Sequence, residues 1–116
     1  MTHDLQAAMA STPHRITAST SVAAVIGNPV KHSLSPVIHN VGFQSLGIDW
    51  VYVAYEVKAG QARAALEAMR TFGLRGLSVT MPHKSDVADL VDTVSTAAQA
   101  LKSVNTVEVA PNGLLV

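Results

Sequence analysis

The chain has no cysteine in its 116 residues, which excludes disulfides and thiolate metal sites but says little about compartment. No apolar run approaches membrane-spanning length, and no signal peptide is visible at the start. Net charge is also missing. Lys+Arg and Asp+Glu balance at 8 each, which removes the electrostatic reason to expect nucleic acid or an anionic membrane as partner. The five histidines, His3, His14, His32, His39 and His83, show no metal spacing of the HExxH kind and read as surface or packing residues. No G-x-G-x-x-G occurs, so there is no dinucleotide fingerprint; Gly73 and Gly76 read as a helix end and a loop. Internal repeats and low-complexity segments are absent as well.

What remains is a globular composition, 48% hydrophobic and 14% charged, in a length that fits one domain with its own core. The opening MTHDLQAAMASTPHRITASTS lacks an apolar core and is rich in Ser, Thr and Ala. Residues 1–20 therefore read as a flexible N-terminal arm with at most a short helical turn, and residues 21–116 as the domain. A soluble cytoplasmic protein is the default expectation.

SVAAVIG, Ser21 to Gly27, is an apolar run stopped by Gly-Asn-Pro and reads as a buried strand. Ser35 reads as an N-cap with Pro36 at the first helical position. That helix is expected to carry Val37, Ile38, Val41 and Leu46 inward and to end near Gly47. In DWVYVAYEV, Val51, Val53, Tyr55 and Val57 alternate with Tyr52, Ala54 and Glu56, a strand by period and composition. GQARAALEAMRTFG is a helix closed by Gly73. LSVTM is a third strand, with Leu77, Val79 and Met81 on one face and Ser78 and Thr80 on the other. A helical pair is expected over Ser85 to Lys102, broken near Asp92 to Ser95. VNTVEVA is a fourth strand, turned by Pro111-Asn112-Gly113 into LLV, and Val116 stops within that strand-like run. Alternating strands and helices followed by a hairpin predict an α/β fold, a three-layer αβα sandwich with a mixed, mainly parallel sheet.

In open α/β sheets ligands bind outside the carboxyl ends of the strands. Three loops leave such ends here: Gly27 to Pro36, Met81 to Ser85, and the surroundings of Asn105. The first, in GNPVKHSLSPVIHN, places Ser33 and Ser35 beside a helix start, whose free N–H groups and dipole favour an anion. Two hydroxyls without a glycine-rich cradle suit a carboxylate better than a polyphosphate. The plainer alternative is that Ser35 only caps the helix and Ser33 is a loop residue. In LSVTMPHK, Thr80 is a polar group near a strand end. Lys84 then opens a helix, with Ser85 or Asp86 expected as its cap. A cation there opposes the macrodipole, the setting a proton-handling lysine requires, although on the motif alone a solvated surface lysine is the plainer reading. Asn105 could aim its amide at a ligand hydroxyl or simply satisfy backbone groups at a strand start.

Together GNPVKHSLSPVIHN, LSVTMPHK and SVNTV, in this order and spacing, resemble the N-terminal substrate-binding domain of shikimate dehydrogenase over Val22 to Val116. The resemblance implies reversible reduction of 3-dehydroshikimate to shikimate with NADPH, in aromatic amino acid biosynthesis. It implies that Ser33 and Ser35 hold the substrate carboxylate, that Thr80 and Asn105 bind ring hydroxyls, and that Lys84 is the catalytic lysine. Retention of both serines resembles shikimate enzymes more than quinate-preferring relatives.

Two departures are local: Ser78 stands where the family often has Asn, and Lys102-Ser103 replaces a small apolar pair. The larger departure is the ending, because the family's Asp partner of the lysine, its NADP-binding domain and a returning helix follow beyond Val116. The resemblance thus implies a substrate-binding half that does not turn over alone, with an apolar face and a Leu114 to Val116 edge that favour self-association. A rival reading is a non-catalytic shikimate- or quinate-binding module or sensor.

Overall fold

The computed structural model describes residues 15–92, 95, 105–110 and 115. Seven elements follow one another: β1 (Ser21–Gly27), α1 (Ser35–Leu46), β2 (Trp50–Glu56), α2 (Ala62–Phe72), β3 (Gly76–Val79), α3 (Lys84–Leu90) and β4 (Thr106–Glu108). The sheet order is β2-β1-β3-β4. β1 runs parallel to both neighbours, pairing Ala23 with Tyr52 on one side and with Gly76 on the other. β4 is antiparallel to β3, and an isolated bridge joins Val109 to Leu115, as the expected hairpin requires. The sheet is mixed and mainly parallel, with helices on both faces. Residues 1–14 of the expected arm, the second helix of the expected pair and the Pro111 to Gly113 turn lie outside the described residues. No helix among the described residues is long and apolar enough to cross a membrane.

Strand alternation divides the core between the two faces. Ala24, Ile26, Leu77, Val79 and Val107 turn one way and pack against Ala62, Leu66 and Met69 of α2 and Val87 of α3. The spacing i, i+4, i+7 of those α2 residues is one helical stripe, and all three are buried. Ala23, Val25 and Tyr52 turn the other way, under Val30, with Phe43 of α1 packed against them. α1 and α2 end, as expected, at Gly47 and Gly73, both with left-handed backbone. Outside the sheet, the Thr20 hydroxyl donates to Asp49 Oδ1 at 2.8 Å, tying residues just before β1 to the turn before β2. Asp92, ion-paired with Arg70, accepts the Leu115 N–H at 2.8 Å and so fastens the hairpin to α2.

Two expectations are corrected. Val37, Ile38, Val41 and Leu46 do not face the core; they are 63%, 64%, 58% and 75% exposed. The rotation of α1 is instead set by Asn40, whose amide donates to Tyr52 O at 2.9 Å and accepts the Tyr52 N–H at 2.8 Å. With Asn40 and Phe43 on the sheet, the stripe 34, 37, 38, 41 must point outward. Met81 does not share the buried face of Leu77 and Val79: it is 67% exposed. β3 stops at Val79, and the chain turns at Thr80, whose carbonyl accepts the His83 N–H at 3.1 Å.

Met69 is fully buried where α2 meets the sheet, so Met69→Ala is expected to cost about 2–5 kcal/mol. Urea unfolding followed by circular dichroism checks this; an unchanged midpoint would mean that α2 does not carry the core described.

Candidate functional site

The carboxyl ends of β1 and β3 are drawn together by two backbone bonds. Thr80 N–H donates to Ile26 O at 3.0 Å, and Asn28 N–H donates to Met81 O at 3.0 Å. Gly27 lies between them without room for a side chain: a Cβ there would stand 2.3 Å from Thr80 Cγ2 and 3.2 Å from Met81 O. The absent side chain lets the Thr80 side of the second loop close on the first.

The loop after β1 then descends to α1. Here Ser35 is the first residue of the helix and not its cap; Leu34 flanks it, and no side chain caps the helix. Pro36 supplies no N–H, and the Ser35 N–H is bonded at 3.2 Å by Ser33 Oγ. The hydroxyl two residues outside the helix thus satisfies one of the orphan donors that Ser35 was expected to serve. Ile38 N–H reaches Leu34 O at 3.0 Å. The Ser35 hydroxyl is left without a hydrogen-bond partner among the described residues.

Between these loops is a cavity of about 500 Å³, lined by His32, Ser33, Ser35, Ser78 and Thr80 together with apolar Val25, Val30 and Val79. Among the described residues, four hydroxyls and an imidazole line it, and no carboxylate does. Such a wall donates hydrogen bonds readily and repels no anion. It sits at the start of α1, on the face of the sheet that α1 only partly covers.

Three of the five residues picked from the sequence, Ser33, Ser35 and Thr80, therefore come together. Lys84 and Asn105 do not line the cavity. Lys84 is half-buried and is itself the first residue of α3, with His83 flanking it; Ser85 and Asp86 lie inside the first turn and neither caps the helix. Asn105 is exposed, its carbonyl accepts the Val79 N–H at 2.8 Å, and its Oδ1 accepts the Thr106 hydroxyl at 3.2 Å. It is thereby held next to the end of β3, one residue before Thr80.

Ser78 and His32 are the lining residues that sequence reasoning did not assign to a site. Ser78 was signalled by its strand face, shared with Thr80; nothing local distinguishes His32. His83 is fully buried, more deeply than a histidine beside a helix start suggests. Its Nε2 lies 2.6 Å from Val57 O, which makes Nε2 the donor. Among the described residues no described metal-binding group of three or more His, Asp or Glu exists.

A family model for the shikimate dehydrogenase substrate binding domain matches residues 25–107. A protein named shikimate dehydrogenase (NADP(+)) from Rubrobacter xylanophilus is 45% identical over 102 residues, which are 88% of this chain and 36% of that protein. Its namesake from Methanothermobacter thermautotrophicus is 43% identical over 93 residues, 80% of this chain and 33% of that one. A crystal structure of shikimate 5-dehydrogenase from Listeria monocytogenes, in complex with shikimate and NAD, superposes with a TM-score of 0.83 at 39% identity, covering 88% of this chain and 35% of that one. The chain thus spans about a third of the length of these relatives.

Because Gly27 is the point of closest approach, Gly27→Ala is expected to push Thr80 aside and to cost about 1–3 kcal/mol. Urea unfolding and the Thr80 methyl resonance report the two effects. A variant with native stability and an unmoved Thr80 methyl would show that the two loops are not in contact there.

Proposed function

Since this chain belongs to the shikimate dehydrogenase substrate-binding-domain family, we propose that it binds shikimate and 3-dehydroshikimate in the cavity beside α1. The observation that carries this is the gathering of Ser33, Ser35, Ser78 and Thr80 around one cavity at a helix start, with no carboxylate among its described lining residues. In this reading Ser33 and Ser35 take the carboxylate, as the hydroxyls nearest the positive end of α1. Thr80 and Asn105 take ring hydroxyls. Lys84 handles the proton at the reacting oxygen, reaching a substrate that extends past the cavity toward the start of α3.

NADP is the cofactor named for the relatives. The 116 residues contain no glycine-rich turn able to cradle a dinucleotide, so no hydride step is assigned to them. The reading is therefore of a cytoplasmic substrate-binding half whose 116 residues bind without turning over. A non-catalytic binding module is the rival reading, favoured by one observation, that Lys84 stands outside the cavity lining. Self-association of the 116 residues belongs to the same proposal, through the outward stripe of Leu34, just before α1, and Val37, Ile38 and Val41 on it.

The first test is a shikimate titration followed by amide NMR. Saturable shifts are expected at Ser33, Ser35 and Thr80, and Ser33→Ala is expected to weaken binding about tenfold, as loss of a hydrogen bond to a charged group does. A dispersed spectrum without ligand-dependent shifts would sink the proposal. With shikimate and NADP+ supplied, no turnover by the 116-residue chain is expected; substantial NADPH production would refute the split between binding and catalysis. Sedimentation velocity tests the stripe: Val41→Glu is expected to shift any concentration-dependent dimer toward monomer, and an unaltered distribution would place self-association elsewhere.

A further inference from the structure

Tyr52 is buried to 5% exposure in the core beneath α1, yet its hydroxyl reaches the cavity wall: it donates to Ser78 Oγ at 2.7 Å. Its position is fixed at three other points. Asn40 holds its N–H and its C=O, and the His39 ring stacks on its own, with centroids 4.2 Å apart and 13° between planes. His39 and Asn40 end the stretch GNPVKHSLSPVIHN, and the proposed substrate contacts leave both unused.

The sheet register explains how a side chain on the outermost strand reaches β3. Tyr52 is paired with Ala23, and Ala23 with Gly76. This row across three strands carries only a methyl group and a hydrogen beyond the tyrosine. The ring can therefore lie over β1 and meet Ser78, the next residue of β3 on the same face. A larger residue at 23 would stand in its way, whereas a Cβ at Gly76 would meet nothing within 4 Å.

We infer that Tyr52 is a positioning residue of the cavity, which fixes the Ser78 hydroxyl as a hydrogen-bond donor toward the bound ligand. The phenol proton is spent on Ser78 Oγ, so the serine's own proton turns away from Tyr52. The open side of Ser78 is the cavity, where an acceptor-rich ligand, a carboxylate bearing ring hydroxyls, receives it. A lone serine would sample three rotamers and offer a lone pair as often as a proton. The bond from Tyr52 removes that freedom before binding. Tyr52 acts through Ser78 and touches no ligand, which makes the effect separable from packing. The inference rests on the binding function proposed above for its ligand, but not for the bond itself.

The test is a double-mutant cycle on shikimate affinity in the 116-residue chain, with Tyr52→Phe, Ser78→Ala and both together. Tyr52→Phe keeps the ring, its stacking on His39 and the Asn40 bonds to its backbone, so the fold is retained. It is expected to weaken binding about fivefold, the effect of one neutral hydrogen bond. In the Ser78→Ala background the same change is expected to have no effect. Equal weakening in both backgrounds, or none in either, would overturn the assignment. Should the unmutated chain fail to bind shikimate, the functional reading fails, and the Ser78 side-chain rotamer, read from three-bond couplings without ligand, decides alone. One rotamer in the parent and averaging in Tyr52→Phe supports the inference; identical populations overturn it.

Discussion

The pair of hydrogen bonds between the Asn40 amide and the Tyr52 backbone governs more of this molecule than any other contact. Tyr52 lies on β2, at the edge of the sheet, where a strand leaves backbone groups without a partner strand. Asn40 meets that need from α1 and in doing so fixes the rotation of the helix. The consequences run in both directions along α1. Ser35, at its first turn, is delivered to the cavity. Leu34, Val37, Ile38 and Val41 are turned to solvent. The rotation that satisfies the edge strand is the one that turns Leu34, just ahead of α1, and Val37, Ile38 and Val41 of the helix to solvent.

The cavity is a product of closure at the other end of the same strands. Backbone bonds from Thr80 to Ile26 and from Asn28 to Met81 bring two loops together over Gly27. His83 adds a third tie, to Val57 at the exit of β2. None of these bonds engages a hydroxyl that lines the cavity. Backbone and an imidazole hold the frame, and the Ser35 and Thr80 hydroxyls have no hydrogen-bond partner among the described residues. Ser33 and Ser78 are the partly engaged pair, one accepting from Ser35 N–H and the other from Tyr52. Rigid support behind adaptable hydroxyls is what a small polar ligand requires.

Much of this was legible in the chain. β1 and β2 showed themselves by an apolar run and by alternation, because a strand buried on both faces and a strand half-buried leave those two patterns. The ends of α1 and α2 were marked by glycines that take left-handed backbone. Ser33, Ser35 and Thr80 were candidates because strand ends collect ligands in such sheets, and the family resemblance singled them out over the plainer capping and loop readings. The start of α1 was displaced by one residue, since a serine before a proline reads as a cap whether or not it is already helical. That of α3 was displaced by two or three, Ser85 and Asp86 being already inside its first turn. Met81 was misjudged because period 2 was carried past the end of the strand.

By itself the sequence determined the order of elements and the layers of the sandwich, since those follow from period, turn chemistry and topology, all local or nearly so. The hydroxyls at one end of it were candidates that the family resemblance selected. Only the tertiary structure decided which way α1 faces, that Lys84 and Asn105 are left out of the cavity lining, and that Tyr52 reaches Ser78 across Ala23. Each of these depends on a contact between residues 12 or more positions apart, or on an empty space left by a small side chain on a neighbouring strand. No periodicity records such a contact, because it exists only once the register between strands has been set.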